Sequence, residues 1–256
     1  LCPNTSANRS TTTGARPNDN SSIISSRGPT TGWQVRPDLV APGTDVLSAR
    51  STRVPDRDFW GVDKARGAAY WGGTSMATPV VAGCAALVRQ YYREARGVAE
   101  PSAALLKATL IAGARWLTGG SAIADHDRRP NIHQGFGRVD LANTIPDETF
   151  SLEFVDTWKD LSTPRFEAPG QRRGYVIRVR PGRPLRVCLA YTDAPGKSVQ
   201  NDLQLFVLQG DDTFIGNAGL TSSPFARGIG DFDRANNVKV VVVDAPVDGK
   251  YHIHVA

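Results

Sequence analysis

The spacing of apolar residues changes character once along this chain, near Pro146. Before that point apolar residues recur at three and four positions, most clearly from Met76 to Tyr91, which is the period of an α-helix. After it, short runs alternate apolar and polar residues between turns such as Pro181-Gly182, as β-strands do. A uniform architecture is therefore excluded. We expect a helix-containing α/β unit over residues 1–145 and a β-unit over residues 146–256.

The first unit is predicted to contain two main helices. Small residues nearly surround the axis of the helix that starts at Met76, so burial on most sides is expected. Pro79 falls in its first turn, where a missing N–H is harmless. The second helix is predicted to begin at Pro101-Ser102, and Gly113 is predicted to close it.

Strands are predicted where short apolar or alternating runs are bounded by turn residues. In the first unit they lie at residues 23–29 and 45–49, and a polar connection fills residues 50–72. In the second unit they lie at residues 175–179, 185–191, 203–208, 238–243 and 251–255. Several short strands of this kind predict an antiparallel β-sandwich or jelly roll.

Charge and cysteine content argue against several classes of protein. The net charge is +5, but the basic residues are scattered or merely paired, whereas a nucleic-acid interface would concentrate them among aromatics. No apolar run approaches the roughly 20 residues of a membrane span. Cys2, Cys84 and Cys188 are far apart, which excludes a disulfide framework and a zinc-ligand spacing.

The segment Gly72-Gly73-Thr74-Ser75 carries the strongest chemical signal. A glycine pair delivers Ser75 to the first turn of the long helix, where free N–H groups and the helix dipole favour negative charge. This suits a nucleophile whose attack creates an oxyanion, with the backbone N–H of Ser75 as one donor. The glycines would let a substrate backbone approach closely. The alternative from spacing alone is a serine that merely caps a structural helix.

The run GTSMATPVVAG at 73–83 resembles the catalytic-serine motif of the subtilisin-like serine peptidases, the subtilases of family S8. Three further segments are similar to motifs of that family and stand in its order: SSRGP at 25–29, RPDLVAPGTDVLSA at 36–49 and GFGRVDLA at 135–142. The resemblance implies an α/β fold with a parallel sheet. It also implies a serine endopeptidase that hydrolyses proteins or peptides through an acyl-enzyme on Ser75, with Gly73 and Thr74 beside the oxyanion and substrate.

The family's catalytic Asp and His precede the serine, as does its oxyanion Asn, yet residues 1–74 contain no histidine. The histidines present are His126, His133, His252 and His254, none in a family-like segment. His126 stands between two aspartates, but a solvated loop is the better interpretation. We therefore expect the C-terminal half of a subtilase catalytic domain, inactive alone, whose partner is the missing N-terminal part of the same domain.

The second unit resembles the C-terminal β-domain of subtilases of the oxidatively stable alkaline protease group. The similar segments are Tyr191–Pro195, Val199–Leu205 and Asn236–Val238. Because some relatives bind calcium there, the resemblance implies a possible calcium site at Asp193 and Asp202, which are oxygen ligands of the right type. Two expected acids are replaced, by Gln204 and Lys239, which would weaken or remove the site. No organic cofactor is expected.

Two alternatives remain from the sequence. One is a non-catalytic subtilase homologue that acts as a binding or scaffold protein, and the other is a β-sandwich adhesion or carbohydrate module with an α/β remnant. The intact serine motif argues against both. Family habit implies a secreted protein, although the chain shows no signal segment of its own.

Overall fold

The structure is a computed structural model that describes residues 24–123, 128–157, 165–196, 199–221 and 232–256. The sequence predictions for Cys2 and His126 fall outside these ranges. So does the start of the predicted strand at 23–29, and its described part, from Ile24 onward, is turn and irregular backbone rather than strand.

Three short strands precede the serine motif and form one antiparallel sheet. They are β1 (Val46–Ala49), β2 (Gly61–Asp63) and β3 (Ala68–Trp71), in the order β1-β3-β2. The prediction of a strand at 45–49 is confirmed, although β1 is largely exposed. Residues 50–72, predicted as a polar connection, contain β2 and β3. These strands have only three and four residues, too few to give a clear alternating signal in the sequence.

The expected parallel sheet is not seen in the described part of the chain, where all strand pairs are antiparallel. Parallel pairing is reduced to one bridge between Val40 and Arg138. Proline explains why this pairing does not extend along Val40's segment: Pro37 and Pro42 flank it, and proline has no N–H to give to a ladder. The α/β prediction is therefore corrected to helices with antiparallel sheets.

Two helices follow, α1 (Thr74–Ala95) and α2 (Ala103–Ala112), close to their predicted positions. The Ser102 hydroxyl accepts a hydrogen bond from the Leu105 N–H at 2.9 Å, and Gly113 stands at the C-cap of α2 as predicted. The helices are joined by a buried hydrogen bond of 2.7 Å between the hydroxyls of Tyr92 and Thr109. Short 3₁₀ turns lie at Asp56–Asp58 and Leu141–Asn143.

The prediction that α1 is buried on most sides is wrong. Only Val88 and Tyr92 of this helix are buried, and the side chain of Leu87 is 47% exposed. A Cβ placed on Gly83 would meet no heavy atom within 4 Å among the described residues. The helix thus packs along one stripe, against α2, Val139 and Phe154, while its small-residue face is open.

The second part of the chain forms two antiparallel sheets. The larger contains β4 (Arg173–Val179), β6 (Leu205–Gln209), β7 (Asp212–Ile215) and β9 (Gly249–Val255), in the order β4-β9-β6-β7. The smaller pairs β5 (Leu185–Ala190) with β8 (Val238–Val243). A short helix, α3 (Ala218–Thr221), follows β7.

One hydrophobic core is shared by these two sheets. It contains Leu205 and Val207 from the larger sheet, Val241 and Val243 from the smaller sheet, and the fully buried Tyr251 of β9. The prediction of antiparallel strands is confirmed, and β7 was missed because its sequence begins inside a predicted turn. The described strands do not close into a barrel, and a jelly roll is not shown.

The two parts of the chain also share a core. Val35, Ile111 and Phe136 from the first part pack in one cluster with Leu220 and Val238 from the second. A hydrogen bond of 2.8 Å from the Val35 N–H to the Asn236 side-chain oxygen crosses the same boundary. The prediction of separate units divided at residue 145 stays untested, but their surfaces are in direct contact.

Among the described residues, no helix combines the length and the apolar character that crossing a membrane requires.

Candidate active site around Ser75

Ser75 is the second residue of α1 and lies exposed at the start of the helix. Gly73 caps the helix with φ of 154°, a conformation that L side chains rarely adopt. Its carbonyl oxygen accepts the N–H groups of Met76 at 3.1 Å and Ala77 at 3.3 Å. The N–H of Ser75, like others in a first turn, has no acceptor within the helix and points toward the helix start. The N-terminus of α1 can therefore stabilise an anion beside the Ser75 hydroxyl.

A second motif fixes this helix start in place. The N–H of Gly73 donates to the carbonyl oxygen of Gly43 at 2.7 Å. A Cβ on Gly43 would lie 2.6 Å from the Gly73 oxygen and 3.1 Å from the Cβ of Ala77, so only glycine fits without movement. The segment Ala41-Pro42-Gly43 and the serine segment, 30 residues apart in sequence, therefore form one packed unit.

The remaining family-like segments pack around the same unit. The Phe136 N–H donates to the Asp38 oxygen at 3.0 Å, and Val40 exchanges hydrogen bonds with Gly137 and Val139. A Cβ on Gly135 would lie 2.0 Å from the Pro37 oxygen. The Gly28 N–H donates to the Arg36 oxygen at 2.8 Å. The segments recognised separately in the sequence thus contact one another in the structure.

An aromatic group borders the glycine pair. The rings of Trp60 and Trp71 stack with centroids 6.5 Å apart, and Phe59 meets Trp71 edge-on at 5.5 Å. A Cβ on Gly72 would lie 2.0 Å from the Trp60 ring. Trp60 is 55% exposed, so its ring forms an exposed aromatic surface beside Gly72, which is two residues before the first residue of α1. The position of Trp71 directly before the glycine pair is compatible either with a substrate subsite or with core packing, and the contact of Trp60 with Gly72 was not predicted.

The described histidines lie in other parts of the fold. His252 and His254 belong to β9 of the second part, and His133 is buried in the turn between Asn131 and Gly135. The sequence predicted no catalytic role for any of them, and this stays a prediction. Ser75, Gly73 and Thr74 thus lie together at the helix start, and the described histidines belong to other segments of the chain.

The candidate calcium ligands are engaged by the protein itself. The Asp193 carboxylate accepts hydrogen bonds from the backbone of Ala194 at 2.9 Å, Gln200 at 2.6 Å and Asn201 at 3.1 Å, and from the Asn201 side chain at 2.7 Å. Burial acts to raise the pKa of Asp193, but these hydrogen bonds outweigh it and hold the pKa below its usual range. The carboxylate is thus kept charged by N–H donors.

Asp202 is engaged in the same way. Its carboxylate accepts the Gln204 side-chain N–H at 2.6 Å and faces the Arg234 guanidinium at 3.7 Å. Among the described residues, no three His, Cys, Asp or Glu side chains are grouped as a metal site would require. Asp193 and Asp202 therefore do not form a ligand set with a third acidic residue.

Comparison with known proteins supports the family resemblance of the segment around Ser75. The model of the subtilase family of peptidases matches residues 1–138, more than half of the chain. The chain is 34% identical over 138 residues to the serine protease AprX of Bacillus subtilis, which covers 52% of this chain and 27% of that protein.

A longer similarity, at lower sequence identity, extends through the second part. The serine protease/ABC transporter B family protein tagB of Dictyostelium discoideum is 27% identical over 93% of this chain. The chain spans 15% of the length of that protein and 13% of the minor extracellular protease Vpr of Bacillus subtilis, to which it is 32% identical over 125 residues.

Proposed function

Since the chain belongs to the subtilase family, we propose that it carries the nucleophile of a serine endopeptidase, with Ser75 forming the acyl-enzyme. The observation that supports this most directly is the position of Ser75 at the start of α1, fixed by the hydrogen bond between Gly73 and Gly43. The family match makes a mere structural cap the weaker interpretation.

The chemistry at this position follows from the helix start. The Ser75 oxygen would attack the carbonyl carbon of a peptide bond, and its proton would pass to a general base. Negative charge then develops on the carbonyl oxygen, beside the N–H of Ser75 and the positive end of the helix dipole. Collapse of the tetrahedral intermediate would return the proton to the departing amine and leave an ester on Ser75. Gly73 has no side chain to obstruct the substrate, and Thr74 lies exposed beside it.

The general base and its orienting acid are proposed to come from the N-terminal part of the same catalytic domain. Supporting this, the described histidines lie in β9 and in the buried turn near Asn131. The open face of α1, which includes Gly83 and the exposed Leu87, offers a surface on which further chain can pack. Loss of a triad partner lowers turnover by about 10⁴–10⁶-fold, so residues 1–256 alone are expected to be inactive.

A fluorophosphonate probe tests the proposal on the protein that includes the N-terminal part, because an activated serine attacks its phosphorus, displaces fluoride and becomes phosphonylated. We expect labelling of the wild type and of Thr78→Ala, an exposed position one turn along the same helix, and no labelling of Ser75→Ala. The 256-residue chain should not label at a comparable rate. Absence of labelling in the longer wild type, with a known serine peptidase labelled in parallel, would favour a non-catalytic binding or scaffold protein.

A further inference from the structure

A buried lysine lies at one end of the core between the two sheets of the second part. Lys239 is on β8, and both its side chain and that of Asp233 are 0% exposed. The ammonium nitrogen lies 3.4 Å from an Asp233 carboxylate oxygen and also donates a hydrogen bond to the Asp233 backbone oxygen. A buried charge without such partners would be strongly destabilising, so this pair is a built feature of the fold.

Neighbouring side chains complete the surroundings of this pair. The Asn217 amide donates to Asp233 at 2.6 Å, and the Asn236 amide donates to it at 3.1 Å. The backbone N–H groups of Ala235 and Asn236 donate to the same carboxylate at 2.9 and 3.2 Å. The carboxylate of Asp233 therefore has several protein donors on each of its oxygens besides the lysine.

The adjoining acid, Asp202, is also satisfied without a metal. The Gln204 amide donates both to Asp202 at 2.6 Å and to the Asp233 backbone oxygen at 3.0 Å. That backbone oxygen thus accepts from Gln204 and from Lys239 together. Among the described residues, the Gln204 side-chain oxygen is an acceptor without a hydrogen bond, and one neutral oxygen is far from the six to eight that calcium takes.

The absence of a side chain at Gly216 leaves space for the side chain of Lys239. A Cβ on Gly216 would lie 2.8 Å from the Cβ of Lys239 and 3.1 Å from that of Leu205. Gly216 therefore leaves room for the lysine stem beside the core, while the ammonium reaches the polar cluster at the core's edge. A divalent cation near Asp233 and Asp202 would have to share this position with a positive charge.

We propose that the ammonium of Lys239 is the resident cation of the cluster formed by Asp202, Gln204, Asn217, Asp233 and Asn236, and that this cluster binds no divalent metal. The calcium site implied by family resemblance does not fit these residues. The Lys239 ammonium takes the place of a bound cation: it neutralises the Asp233 carboxylate and holds the turn that contains Asp233 against β8. Removing the ammonium and supplying an oxygen, as in Lys239→Glu, would convert the cluster into a divalent-cation site.

Calorimetric unfolding of the full-length protein with calcium chloride or with chelator tests this proposal. We expect calcium to shift the unfolding midpoint of the wild type and of Asp202→Asn by the same amount. In Lys239→Glu, calcium at about 100 times its dissociation constant should raise the midpoint by roughly 5–10 °C. Lys250→Glu, which makes the same charge change at an exposed position of β9, should show no such gain.

Two results would overturn the proposal. The first is a calcium-dependent rise of the wild-type midpoint that Asp202→Asn abolishes, since that would place calcium in the cluster beside the lysine. The second is a folded Lys239→Glu variant whose midpoint responds to calcium no more than that of Lys250→Glu. If Lys239→Glu does not fold, the wild-type comparison with Asp202→Asn decides the question alone.

Discussion

The backbone N–H of Gly73 donates to the carbonyl oxygen of Gly43 across 2.7 Å, and this contact holds the start of the helix that carries Ser75. Both residues are glycines for steric reasons. Gly73 has a positive φ, and Gly43 has no room for a Cβ between the Gly73 oxygen and Ala77. The geometry of the proposed nucleophile therefore depends on a segment that carries no reactive side chain.

Replacing Gly43 by alanine tests this dependence. The added methyl would lie 2.6 Å from the Gly73 oxygen, so the helix start must shift. We expect a loss of about 1–3 kcal/mol in the free energy of unfolding, as for other overpacked sites. In the longer protein, fluorophosphonate labelling of Ser75 should slow by at least tenfold. Gly120→Ala is the matched control, because its Cβ would meet no described residue within 4 Å; equal effects of both changes would contradict the argument.

Gly83→Ala probes the open face of α1. In a helix interior alanine is favoured over glycine by about 1 kcal/mol, and here the methyl would have no neighbour within 4 Å among the described residues. The 256-residue chain should therefore become more stable by about that amount in urea unfolding. If the N-terminal part of a catalytic domain packs on this face, the same substitution in the longer protein should instead be destabilising. A stabilising effect in both proteins would argue against packing at Gly83.

Asn236→Ala should weaken the contact between the two parts of the chain. It would leave the N–H of Val35, a residue only 2% exposed, without its acceptor. It would also remove a donor from Asp233. An orphaned buried group costs about 1–3 kcal/mol, and we expect a loss at the upper end of that range in urea unfolding. Arg234→Ala, an exposed neighbour in the same turn, should cost less than half as much; a similar loss would point to the turn rather than to the contact.

The ionisation of Tyr191 should lower the free energy of unfolding at high pH. Burial raises the pKa of its hydroxyl to about 12, against an ordinary value of 10.0. Between these values the unfolded chain loses the proton while the folded chain keeps it, so stability decreases as pH rises from about 10 to 12. Urea unfolding at pH 8 and pH 11 should therefore show a smaller alkaline loss for Tyr191→Phe than for wild type.

Tyr175→Phe, which replaces a tyrosine of β4, is the control for this pH dependence. Its alkaline loss of stability should equal that of wild type within error. An unchanged alkaline loss in Tyr191→Phe would show that other groups cause it.

Local signals in the sequence were sufficient for several elements. The hydroxyl of Ser102 and the glycine at 113 fix the ends of α2 through contacts within a few residues, so their prediction needed no tertiary information. Except for β7, the described strands after Pro146 were predicted for a similar reason, since the pattern of apolar residues along a strand shows which face meets a core. The segment around Ser75 was identified because its chemistry requires particular residues in consecutive positions.

Tertiary structure alone decided the rest. The open face of α1 depends on what lies beside the helix, which its own small residues do not specify. The antiparallel pairing of β2 and β3 depends on backbone hydrogen bonds between weakly patterned segments. The burial of Lys239 depends on Asp233, Asn217 and Gly216, which come together only when the sheets pack. Sequence therefore determined the two main helices, most of the strands of the second part and the proposed nucleophile, because these follow from neighbouring residues. Their partners and burial follow from contacts between residues distant along the chain.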